Sequence, residues 1–85
     1  MIYVGIDVAK DKHDCFIVSS EGEIIKDVFT ISNSIEGFNS LLLAIPDVPK
    51  DKIRVGLEAT GHYSINLMNF ITENQLPLVL SLIHI

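Results

Sequence analysis

Two short runs in this chain each end in a carboxylate. Tyr3-Val4-Gly5-Ile6-Asp7 is the first and Arg54-Val55-Gly56-Leu57-Glu58 the second. Side chains alternate faces along a strand, so residues two apart share a face. Gly5 therefore shares a face with Asp7, and Gly56 with Glu58. A glycine inside a strand leaves room for close approach of backbone or ligand. If the two strands lie side by side and parallel, their acids meet at one edge of a sheet. Ligands of open α/β sheets bind at the carboxyl ends of strands. Two acids converging there form a candidate metal site, Asp7 and Glu58, for a divalent cation that takes hard oxygen ligands. Asp7 alone has a simpler reading, an acid at a strand end that hydrogen-bonds the following turn.

The elements that must position these acids follow from hydrophobic patterning. Ile2 to Val8 is a short apolar run with its one charge near the end, a buried strand. Ala9 to Asp11 makes a turn. Lys12 to Ser19 is a second strand, with Phe16 and Val18 on one face and Cys15 and Ile17 on the other. Ser20-Glu21-Gly22-Glu23 is a hairpin connection, and Ile24 to Ile31 a third strand. An antiparallel meander is the simplest arrangement of these three. Asn33 is placed to cap a helix, with Glu36 three residues on as in a capping box. Phe38, Leu41, Leu42 and Ile45 then form one apolar stripe, and Pro46 and Pro49 end the helix. Lys52 to Glu58 is the fourth strand. Because it follows a helical crossover, it can pair in parallel with the first. Thr60 is a plausible cap for a second helix that buries Tyr63, Leu67, Met68 and Ile71 and stops near Asn74, before Pro77. Leu78 to Leu82 is a fifth strand. The expected fold is α/β: a mixed five-stranded sheet, an antiparallel three-strand meander and two helices.

With 85 residues the chain makes one small domain, marginally stable by itself. The formal net charge of −5 counts against a self-sufficient nucleic-acid surface, which normally carries a basic patch. Lys10 and Lys12, and Lys50, Lys52 and Arg54, are mixed with acids and read as solvated surface charge. One cysteine, Cys15, rules out an internal disulfide and fits a reducing compartment. It reads as a small buried strand residue, since no basic neighbour is evident to lower its pKa. Charges at Asp7, Lys10, Asp11 and Lys12 interrupt any signal-peptide core. The apolar stretch from Leu76 to Ile85 is too short to span a membrane. A cytoplasmic protein with no membrane partner is expected.

Tyr3-Val-Gly-Ile-Asp-Val-Ala-Lys10, with Asp14 downstream, resembles the start of the insertion-sequence one-ten transposases of bacteria, relatives of the Piv-type DNA invertases. Glu58-Ala-Thr-Gly-His-Tyr63 resembles the second signature of that family, and the likeness runs through about Val79. The resemblance implies a ribonuclease H-like, RuvC-like core with a DEDD carboxylate tetrad. Asp7 is then the first acid and Glu58 the second, both catalytic and both metal-binding. Such tetrads hold two Mg²⁺ (or Mn²⁺) ions about 4 Å apart, which stabilise the attacking and leaving oxygens of phosphodiester displacement. The family's other two aspartates lie in a basic segment beyond the second helix, and its nucleophilic serine in a further domain. This sequence has neither, and Glu73 is in the wrong context to substitute. Residues 1–80 are therefore expected to be a truncated part of the catalytic domain. Residues 81–85 depart from the family pattern and are expected to be a non-native end, with no chemistry assigned to His84. The resemblance further implies a parent that cleaves and joins DNA, guided by a bridge RNA.

Around the two acids, several residues have both a bland reading and a functional one. Thr60 and Gly61 are a helix start, whose amides could alternatively face a phosphate. His62 is a first-turn surface residue or a substrate contact, and Lys10 a loop lysine or a phosphate-steering one. Asp11 and Asp14 read as surface acids near the site, and His13 as a polar residue at a strand start with no evident partner. Two other functions compete with the transposase reading. An actin-like or sugar-kinase-like ATPase lobe shares this core, but wants a glycine two residues after its first aspartate, where Ala9 stands. An inactive interaction module would keep the fold and self-associate as a homo-oligomer through an exposed edge.

Overall fold

The computed structural model describes residues 1–58 and 65–81, with side chains as far as 78. Alternating apolar and polar residues set the first three strands: β1 (Ile2–Asp7), β2 (Lys12–Ser19) and β3 (Ile24–Ser32). In β1 the residues Ile2, Val4 and Ile6 are buried, while Tyr3 and Asp7 face solvent. In β2 the buried set is His13, Cys15, Ile17 and Ser19. β1 pairs antiparallel with β2, and β2 antiparallel with β3. Gly22 closes the β2–β3 turn at φ +84°, in the left-handed region where a side chain is disfavoured.

α1 (Ile35–Ala44) begins at Ser34, which is extended at φ −156° and whose Oγ accepts from the Gly37 N–H at 3.2 Å. The expectation of an Asn33 cap is corrected here. Asn33 faces the other way: its side-chain amide donates to the Lys10 carbonyl, at 3.0 Å. Phe38 and Leu41 carry the buried stripe of α1, with Leu42 and Ile45 half-buried. Gly37 is required at the first turn, because a Cβ there would overlap the Ser32 backbone.

A single 3₁₀ turn covers Lys50–Lys52, so β4 runs Ile53–Glu58 and starts one residue later than Lys52. It lies parallel to β1, and β5 (Leu78–Ser81) lies parallel to β4. The strands run β3-β2-β1-β4-β5 across the sheet. α2 (Ile65–Glu73) buries Leu67, Phe70 and Ile71. It ends just before Asn74, as Pro77 requires, with Gln75 at φ +60°. The Gln75 N–H reaches the Thr72 carbonyl and the Leu76 N–H that of Ile71, so two of the freed carbonyls of the last turn are satisfied. The expected cap Thr60 and buried Tyr63 lie outside the described residues, as does Leu82.

Both helices pack on one face of the sheet. Their apolar residues join Val4, Ile6, Ile17, Val55 and Leu57 in one core, with the Phe38 and Phe70 rings 5.3 Å apart. The opposite face carries Tyr3, Phe16, Ile24 and Val28, all exposed among the described residues. No helix of the described residues is long and apolar enough to cross a membrane.

Candidate metal site at the end of the open face

Core packing positions the acids. Ile6 and Leu57 are both buried and paired in register, as are Val4 and Val55. One step along each strand, Asp7 pairs with Glu58. Alternation turns both acids away from the core, and both are exposed. Neighbouring strands lie about 4.8 Å apart, so the two carboxylates rise side by side from the same end of the sheet.

Asp14 is a third acid at this level. It pairs with Asp7 on the opposite flank, so three acids cross β2, β1 and β4 in one row. Its Oδ1 accepts from Thr30 Oγ1 at 2.8 Å, which draws it toward β3. The sequence held a usable signal for Asp14. A hairpin centred between Lys10 and Asp11 pairs positions whose numbers sum to 21, which sets Asp14 opposite Asp7.

Asp7 and Glu58 border a shallow hollow of about 240 Å³, lined also by Gly5, Phe16 and Gly56. The Phe16 ring lies directly over Gly5, where any Cβ would overlap it. Close approach at this glycine is thus taken by a side chain of the protein itself. Beyond Phe16 a second hollow of about 490 Å³ is lined by Met1, Tyr3 and Arg54.

The turn after Asp7 is held at four points. The Val8 N–H donates to the Glu58 carbonyl at 3.0 Å, carrying the β1–β4 ladder one residue past the acids. The Ala9 N–H donates to His13 Nδ1 at 3.2 Å. Asn33 takes the last two points: its side chain bonds the Lys10 carbonyl and its N–H the Asp11 carbonyl. Lys10 itself, three residues after Asp7, is exposed. Thr60, Gly61 and His62, the other candidates for substrate contact, lie outside the described residues.

The donor set suits a hard cation. Mg²⁺ is commonly held by one or two carboxylates and completes its shell with water and substrate phosphates. Asp7 and Glu58 supply those two and form an open pair: among the described residues, no group of three His, Cys, Asp or Glu side chains is arranged to hold a metal ion. Cys15 does not add to the site. It points into the core, and burial, followed by the negative charge of Asp14, pushes its thiol from 9.0 up to about 12.

The family model for DEDD transposases of the insertion-sequence one-ten kind, described as a transposase, matches residues 4–82. No curated protein matches the chain.

Proposed function

Because this chain belongs to the insertion-sequence one-ten family of DEDD transposases, we propose that Asp7 and Glu58 are its first two catalytic carboxylates. The observation that carries this reading is their pairing in register on parallel strands. The mixed sheet, with its antiparallel β1–β3 and its parallel β4 reached through α1, supports a ribonuclease H-like, RuvC-like core for residues 1–80. Held between the two acids, Mg²⁺ or Mn²⁺ would neutralise charge on a scissile phosphate. The chain's own contribution is to fix the two acids at one height and leave the phosphate side open. On this reading the exposed Lys10 attracts a DNA backbone.

The intact parent, on this reading, cleaves and joins DNA and takes its target from a guide RNA. The 85-residue chain by itself supplies two of four acids and is inactive. Two experiments test this. Mn²⁺ should broaden the NMR resonances of Asp7 and Glu58 in the isolated chain, and Asp7→Asn should abolish the effect. Purified chain with Mg²⁺ should leave a DNA substrate intact, and strand cleavage would overturn the claim of inactivity.

A second reading has an observation of its own. Phe16 and Val28 on the open face are 46 % and 66 % exposed, and apolar surface left this bare favours association. The isolated chain therefore self-associates through this face, whatever its parent does. Sedimentation of the chain over a range of concentrations tests this, and a strictly monomeric protein would refute it. Nothing comparable supports an ATPase lobe. The Ala9 amide, which such a lobe would turn toward phosphate, is already bonded to His13.

A further inference from the structure

His13 is fully buried, although Lys12 and Asp14 on either side are exposed. Its ring is stacked 6.3 Å from that of Phe38 on α1. Nδ1 accepts from the Ala9 N–H, which places the ring proton on Nε2. That Nε2 has no hydrogen-bond partner among the described residues. Leaving a buried donor unpaired costs on the order of 1–3 kcal/mol. An apolar residue of similar size would stack on Phe38 without that cost. What it would lack is the acceptor for Ala9.

We infer that His13 is a positioning residue for the candidate metal site. It fixes the turn that leaves Asp7 by anchoring the Ala9 amide to the core. The Ala9 N–H is two residues past Asp7 and one past the Val8 bond to Glu58. Without an acceptor at His13 that amide has no partner among the described residues, and it turns toward water. The chain then leaves β1 along a different path and alters the direction of Asp7 relative to Glu58. Asn33 holds the far half of the same turn, at Lys10 and Asp11. His13 holds the near half, next to the acid. Only the last step, from turn to cation, rests on reading Asp7 and Glu58 as metal ligands.

The test uses the ¹⁵N-labelled 85-residue chain. Imidazole ¹⁵N–¹H correlation should show the proton of His13 on Nε2, and a proton on Nδ1 would overturn the proposal. The Ala9 amide should exchange as slowly as Val4 in the β1 ladder, whereas exchange at the rate of a free loop amide would also overturn it. His13→Phe keeps a ring for Phe38 and removes the acceptor. It should speed Ala9 exchange about tenfold relative to Val4, the loss of one hydrogen bond of ordinary net strength. His13→Asn, whose Oδ1 sits near the place of Nδ1, should restore it. Ala9 and Val4 accelerating together would mark a merely structural residue. Mn²⁺ affinity, read from broadening at Asp7 and Glu58, should fall about tenfold in His13→Phe, as for residues that orient a ligand. It should recover in His13→Asn. Unchanged affinity with a freed Ala9 amide would refute the positioning role. Absence of Mn²⁺ binding by the unmodified chain would refute the metal reading instead, leaving the tautomer and exchange results to decide what His13 does to the turn.

Discussion

The two faces of this sheet are made by the same strands and obey different rules. On the covered face, every residue of β1, β2 and β4 is buried, and even a histidine is accommodated there. On the open face the same strands present two glycines, two aromatic rings, a row of acids and an arginine. The covered face determines position, while the open face holds the row of acids and loose apolar surface. A residue's contribution to stability should therefore follow the face it is on rather than its hydrophobicity.

The sharpest test sets Leu57 against Phe16. Leu57→Ala should cost about 2–5 kcal/mol, the range for buried leucines, and leave so small a domain largely unfolded in urea titrations. Phe16→Ser, on the open face of the same sheet, should change stability far less. Equal losses in the two variants would break the distinction.

Next in size is Cys15. Its thiol ionises at about 12 in the folded chain and from 9.0 when ordinary. Above pH 9 the unfolded chain therefore loses this proton first, and folding stability falls as pH rises toward 12. The fall approaches about 1.4 kcal/mol per pH unit for one group. Denaturation of the wild type and of Cys15→Ala across this range should show that difference in slope. The thiol should also resist alkylation until the chain unfolds.

Smaller still is the effect of Asp7→Asn. Like charges on adjacent strands destabilise by about 0.2–1 kcal/mol, and Asp7 has an acid on each flank. The variant should melt slightly higher at low salt, and the gain should shrink as salt screens the charges. A lower melting temperature would show that Asp7 has a structural role. Gly5→Ala should change stability least, within about 1 kcal/mol, because the half-exposed Phe16 ring can swing aside. The change to look for is in ring contacts, by nuclear Overhauser effects between Phe16 and its neighbours.

Much of this was legible in the sequence because alternation and punctuation agreed. The bounds of β2 follow from its pattern, and the ends of both helices follow from Pro46 and Pro77. The pairing of Asp7 with Glu58 followed from two similar runs joined by a helical crossover. What escaped was decided by tertiary context. Asn33 and Ser34 are equally good caps by type. Only the proximity of the β1–β2 turn diverts Asn33 to the Lys10 carbonyl and leaves the cap to Ser34. His13 read only as a polar residue at a strand start with no evident partner, although its spacing from Cys15 and Ile17 puts it on their buried face. Phe70, missing from the expected face of α2, is buried against Phe38.

The alignment of β1 with β4 has a consequence for how such a pair of acids can be lost. Sliding one strand past the other by a single residue would invert its pleat and thrust a carboxylate into hydrocarbon, so the fold has no cheap intermediate setting. Ile6 and Leu57, both buried, thus act as the gauge that holds the two carboxylates level. Damage to that gauge would move the two acids out of line without touching either of them.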